Sequence, residues 1–186
     1  MQSKHALQSK TPLKAKTTLK PRKVTKKQAT AEISKLKKKA DALFGHYIRL
    51  RDAELVGNIE WKSECISCGR VNIVRWYDED KLKWRWGRKE NVGHFVGRMC
   101  WFLRFEEMNC NGQCVYCNQH LKGNIAAYYK ALDYKYGDGT AVQLIELAHN
   151  NKSYQITKQD LENVIKASNE YLDWAYEQER LIHESN

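Results

Sequence analysis

The chain has 186 residues, 42% of them hydrophobic, with 6 Cys, 2 Pro and a formal net charge of +10. That length suits one compact domain of roughly 100–150 residues plus an appendage. No apolar run of about 18 residues exists, which excludes a transmembrane helix, and the opening MQSKHALQSKTPLKAK lacks the apolar core of a secretory signal, so the expected location is the cytoplasm.

The charge is unevenly spread. Residues 1–40 hold 13 Lys and Arg against one acid, Glu32; residues 61–135 sum to +5 and residues 136–186 to −5. A basic tail of this kind points to nucleic acid, because each neutralised phosphate releases condensed counterions whatever the base sequence. A purely solubilising tail is the competing reading.

Residues 1–29 are rich in Lys, Thr and Gln, have no hydrophobic period and contain Pro12 and Pro21. They bury too little apolar surface to offset chain entropy and are expected to be a disordered DNA-binding tail. From Thr30 the spacing of Ile33, Leu36, Ala40, Leu43, Phe44, Tyr47, Ile48 and Leu50 predicts one amphipathic helix over 30–58, stopping near Gly57-Asn58. Its first half presents Lys35, Lys37, Lys38 and Lys39, with Lys35 and Lys38 as phosphate contacts. Short β-rich runs follow, Val71 to Tyr77, Leu82 to Trp86 and Val92 to Val96, and the first two predict a hairpin. In KLKWRWGRK, alternation puts Trp84 and Trp86 on one face and Lys83 and Arg85 on the other. Aromatics interleaved with cations suit nucleic-acid stacking and phosphate contact; two Trp in the core of a small sheet is an equal alternative. NIAAYYKALDYKYG predicts a helix with Asn124 as N-cap and Gly137 as stop, then a short helix over Ala141 to Ala148 and a long one from Thr157 to about Leu181.

The cysteines carry the strongest signal. Cys65-Ile-Ser-Cys68-Gly and Cys114-Val-Tyr-Cys117-Asn are both CxxC turns. Each points two thiolates at one spot, and two such turns supply the four sulfurs of a closed structural Zn²⁺ site. Cys100 and Cys110 are left as buried free thiols.

Between the two pairs lie Gly93-His94-Phe95, Leu103-Arg104-Phe105 and Asn109, and Asn118 follows the last cysteine. A histidine on a strand, an asparagine some 15 residues on and a CxxCN knuckle opening a helix resemble the HNH (ββα-metal) nuclease arrangement. More narrowly, ECISCG, GHF, LRFEEMNCNGQCVYCNQHLKGN and the following AYY resemble the bacteriophage lambda NinG family, also called Rap. The likeness covers about residues 61–185 and is dense over 93–129. It implies an α+β, zinc-stabilised HNH core over 59–136, interrupted by a β-hairpin and flanked by an N-terminal helix and a C-terminal helical region, 137–186. The activity it implies is metal-dependent endonucleolytic cleavage of branched recombination intermediates, Holliday junctions and D-loops, in phage recombination.

Phosphodiester hydrolysis needs an activated water, a cation on the phosphate and a way to stabilise the leaving oxygen. His94 fits the general base. Asn109 is expected to hold the His94 loop in register through backbone hydrogen bonds. Asn118 offers a carbonyl oxygen to a catalytic Mg²⁺ or Mn²⁺, with a helix cap as the alternative role. Many HNH enzymes carry a second ligand just before the base, where this chain has Gly93; His120 and Asn124 are the candidates to replace it, although His120 points about 200° away from Asn118 if that turn is helical. Arg98, Arg104 and Lys122 are phosphate candidates, with Glu106 or Glu107 as competing partners for the arginines. The expected partner is branched DNA, bound by a homodimer because a four-way junction is two-fold symmetric. The second functional reading is a zinc-stabilised DNA-binding or annealing accessory with an inactive nuclease core, favoured by Gly93.

Overall fold

In the computed structural model, residues 26–184 are described; of the disordered basic tail expected over residues 1–29, residues 1–25 lie outside them, and 26–29 form the first turn of a helix instead. Helix α1 runs Lys26–Arg51, and strands β1 (Ala53–Val56), β2 (Glu60–Glu64), β3 (Val71–Asp78) and β4 (Lys83–Trp86) follow. Strands β5 (Glu90–His94) and β6 (Cys110–Cys114) precede helices α2 (Ile125–Tyr136), α3 (Thr140–Asn150) and α4 (Lys158–Glu184). The architecture is α+β.

The helix predicted over 30–58 starts earlier and ends earlier. Its last turn stops at Arg51, and Ala53–Val56 is a strand paired antiparallel with β2. The Gly57-Asn58 pair, expected to stop the helix, has both residues at positive φ and instead folds the chain back into a hairpin.

The predicted hairpin forms, with Tyr77 opposite Trp84 and Arg75 opposite Trp86. It is not a free-standing insertion. Strands β1 to β4 make one four-stranded antiparallel meander, and β5 pairs with β6 in a separate two-stranded ribbon. Trp84 and Trp86 pack against a core of Leu50, Trp61, Val74, Leu172 and Ala175, so their faces belong to the protein interior rather than to stacked bases. Arg75, from β3, and the Trp61 indole N–H both bond the buried carboxylate of Glu179, which ties the meander to α4.

Helix α1 packs along α4 through Ala40, Leu161 and Ile165, and through Phe44 and Ile48 it closes on Val92 of β5 and Cys110 of β6. The two long helices therefore lie against each other within one chain. Thr157 and Asp160 cap α4 reciprocally: the Thr157 hydroxyl accepts from the Asp160 N–H at 3.1 Å, and the Asp160 carboxylate accepts from the Thr157 N–H at 2.8 Å. A further core of Phe95, Leu103, Tyr128, Leu132, Ala141 and Leu144 seats α2 and α3 on the long β5–β6 connection.

Candidate active site and metal centre

The two CxxC turns meet. The sulfurs of Cys65, Cys68, Cys114 and Cys117 all lie within 4.8 Å of one another, three of the residues being buried and Cys68 exposed. Four ligands about 2.3 Å from a tetrahedral Zn²⁺ stand about 3.8 Å apart, and Cys68 Sγ lies 3.8 Å from Cys114 Sγ. That separation is far too long for a disulfide, and all six cysteines are free. The four thiols can hold a structural metal such as zinc.

Each turn is shaped for the purpose. After Cys68, Gly69 adopts φ +70°, which lets its N–H reach the Cys65 carbonyl at 2.9 Å. In the second turn the Cys117 N–H and the Asn124 side-chain amide point at Cys114 Sγ and Cys117 Sγ, at 3.4 and 3.5 Å. Such donors orient and stabilise thiolates. Asn124 has φ +45° and makes no side-chain cap to α2, so the N-cap expected of it is replaced by this contact with sulfur. Gly137 ends α2 as predicted, its N–H bonding the Asp133 carbonyl.

Beside the cysteines, a cleft of about 790 Å³ opens between α1 and the β5–β6 ribbon. Asp41, His46 and Arg49 line it from α1; Glu90, His94 and Arg98 line it from β5 and the loop beyond; Asn118 and Lys122 line it from the second cysteine turn.

His94, on the last position of β5, is half-buried and directs Nε2 at the Arg104 carbonyl, 3.1 Å away. A carbonyl only accepts, so Nε2 carries the proton of the neutral ring and Nδ1 keeps the lone pair. Burial pushes the His94 pKa down to about 4, and the hydrogen bond to the Arg104 carbonyl offsets only part of that.

Asn109, fully buried, fixes the loop that follows. Its Oδ1 accepts from the Val96 N–H at 2.7 Å, and its Nδ2 donates to the carbonyls of Val96 at 3.0 Å and Leu103 at 2.9 Å. These are backbone bonds of the kind expected of it.

Asn118 donates from Nδ2 to Gln113 Oε1 at 3.0 Å and more weakly to the Val92 carbonyl at 3.5 Å. Its Oδ1 has no protein donor among the described residues.

Gly93 proves to be a requirement of packing. A Cβ there would stand 2.6 Å from Gln113 Oε1. Gln113 cannot yield easily, since it is fully buried and donates to Ser67 Oγ and the Gly123 carbonyl, both at 2.6 Å. No side chain fits before the histidine.

The substitutes suggested for that position are not brought there. The turn Tyr116–His120 is a wide, irregular one, yet His120 is exposed and stacks on Tyr116 with ring centroids 5.7 Å apart, outside the cleft lining. Asn124 faces sulfur.

Among the arginines, neither Glu106 nor Glu107 is the partner. Arg104 makes a two-pronged bond to Asp41 at 2.9 and 2.7 Å, and Arg98 reaches the same carboxylate at 3.3 Å. Arg104 is thereby a strut between α1 and the loop, whereas Arg98 is more than half exposed at the cleft. Lys122 stays at the cleft, at φ +48°. Lys83, Arg85, Lys35 and Lys38 do not line it: Lys83 is an exposed meander residue, Arg85 pairs with Asp78, and Lys35 and Lys38 are exposed on α1.

The sequence reading missed Asp41, His46, Arg49, Glu90 and Gln113. On α1 the three polar positions fall on an ordinary amphipathic stripe, with no local mark of their depth. Glu90 is 2% exposed, and burial pushes its pKa up to about 7 even though it bonds Ser63.

Comparison with known proteins agrees with this geometry in its reach along the chain. No solved structure matches it. The protein called ninG of Escherichia phage lambda is 32% identical over 120 residues, covering 64% of this chain and 48% of that protein. The ninG protein of Escherichia phage 933W matches to the same extent, and that of Salmonella phage P22 is 33% identical over 113 residues, 60% of this chain and 44% of that protein. The chain spans about half the length of these relatives. The family described as Bacteriophage Lambda NinG protein matches residues 1–175, so the cleft and the cysteine centre both sit inside the shared region, and the chain belongs to that family.

Proposed function

We propose that the protein is a metal-dependent endonuclease of the HNH type, acting on branched DNA in phage recombination. The observation that carries the reading is the common cleft that takes a neutral histidine, His94, and an amide oxygen without a protein donor among the described residues, Asn118, from the two ends of one ββα unit: β5, β6 and the turn leading to α2. That is the element order an HNH core requires.

Asn118 would hold a Mg²⁺ or Mn²⁺ ion, which would supply positive charge at the scissile phosphate. The remaining work belongs to the chain. His94 takes the proton of the attacking water at Nδ1, and the Arg104 carbonyl steadies the resulting imidazolium. Asn109 keeps the His94 loop in place, and Arg98 and Lys122 offer charge to the DNA backbone. The four-cysteine centre is scaffold, holding the Asn118 turn against β6.

A two-fold pair of chains on a four-way junction, the cytoplasm of the host and a phosphate-binding tail complete the proposal. Light scattering with and without junction reads the first of these. The second reading, an accessory protein with an inactive core, is favoured by one observation, the space-filled position of Gly93. Incubation with a four-way junction and a matched linear duplex, each with EDTA or Mg²⁺, separates the two. Junction cleavage that needs Mg²⁺ supports the nuclease, and binding without any cleavage supports the accessory protein.

A further inference from the structure

Arg98 shares Asp41 with Arg104, but the other arginine of the cleft has no such partner. Arg49 is half-buried on α1 and has no carboxylate within 4 Å among the described residues. Its hydrogen bonds go to two backbone carbonyls, Nε to Gly45 at 3.3 Å and Nη1 to Gly87 at 3.4 Å. A guanidinium has five N–H donors, so most of its fork is uncommitted. Glu90 acts on it through charge only and is itself bonded to Ser63.

The side chain is nevertheless held in place. Its guanidinium carbon lies 4.4 Å over the Trp86 ring, His46 stacks on the same ring at 4.2 Å, and Arg75, anchored by Glu179, lies 4.9 Å from it. Stacking on an aromatic face preorganises the planar fork, which lowers the entropy lost when it grips an anion. Burial holds His46 neutral, so it brings bulk to the layer without charge.

We propose that Arg49, seated on Trp86, grips one DNA backbone phosphate next to the scissile one, and that the β3–β4 hairpin serves the cleft as the platform for that grip. The proposal rests on the nuclease reading for the position of the scissile phosphate. A half-buried guanidinium that feels Glu90 only through charge and bonds no carboxylate among the described residues is incompletely compensated, and a phosphate in the cleft supplies the missing partner. Arg49 is a binding residue; Trp86 is a positioning residue that acts through it.

The test uses the full chain and a four-way junction. In EDTA, fluorescence anisotropy measures affinity for junctions that carry a single neutral methylphosphonate at each position in turn around the branch. Wild type should lose about tenfold where Arg49 binds. Arg49→Gln should bind the unmodified junction about tenfold more weakly, with a log–log salt slope shallower by about one, and should lose nothing further at that one position. Trp86→Leu should reproduce part of the loss. Arg49→Lys keeps the charge without the planar fork and should fall between the two, which gives a reading even where the Gln variant folds poorly. In Mg²⁺, the loss should fall on KM more than on kcat. Equal affinity and slope in Arg49→Gln and wild type, or an unchanged methylphosphonate profile, overturns the proposal. If wild type binds with this profile but cleaves nothing in Mg²⁺, the nuclease reading falls while the phosphate contact stands.

Discussion

Asn109 binds both backbone polar groups of Val96, accepting from its N–H at 2.7 Å and donating to its carbonyl at 3.0 Å, two residues beyond His94. One buried side chain thus replaces the strand partner that the loop lacks. Asn109→Ala leaves the Val96 N–H and the Val96 and Leu103 carbonyls without their bonds, at a cost of about 3 kcal/mol. Urea unfolding should show it as a lower midpoint at unchanged slope, and a midpoint equal to that of wild type contradicts the role.

The cysteine centre should bind one zinc per chain, read by metal analysis of purified protein. Cys117→Ser should lose the metal and lower the melting temperature by at least about 10 °C, since structural zinc contributes directly to folding free energy. A metal-free protein that melts as wild type does counts against the site.

His94 and Asn118 should fail differently. His94→Ala should cost about 10²–10⁴ in cleavage rate with DNA affinity nearly intact. Asn118→Ala should recover part of its loss at high Mn²⁺. Zinc content should hold in both, because neither is among the thiolates. Cleavage by His94→Ala at the wild-type rate would overturn the HNH assignment.

The pH dependence follows from the lowered pKa of His94, about 4 against an ordinary 6.5. The acid limb of kcat/KM for cleavage is expected near pH 4, not pH 6 to 7, because the base stays neutral down to that point. For stability the unfolded chain takes the proton first. The contribution is therefore full above pH 6.5 and is lost as pH falls from 6.5 to 4, by at most about 3 kcal/mol. His46 is lowered to about 4 by the same burial and adds to the same window. His94→Phe should make the fall shallower, as measured by thermal melts between pH 4 and 8.

Truncation belongs before Lys26, where α1 begins. Residues 1–25 hold seven Lys and Arg and no acid. Removing them should make the salt dependence of junction binding shallower by several units and leave cleavage at low salt in place. An unchanged slope assigns the tail another job.

The sequence by itself determined whatever is encoded locally. The two CxxC turns announce the metal centre, since four thiolates at that spacing have one good use. The period of α1 and α4, the stop at Gly137 and the β3–β4 pairing could all be read from residues close together in the chain. His94, Asn109 and Asn118 were marked as candidates by their motif. Only the tertiary structure decided what those residues meet. Asp41 claims Arg104 across 63 positions, and Gln113 forbids a side chain at residue 93, while Trp86 turns inward to carry Arg49 and His46. The Ala53–Val56 stretch became a strand because a neighbour could pair with it, although the helix was expected to run on to Gly57-Asn58. Periodicity reports which face is buried. It does not report against what, because that depends on how α1 closes over β5, a contact between segments more than forty residues apart.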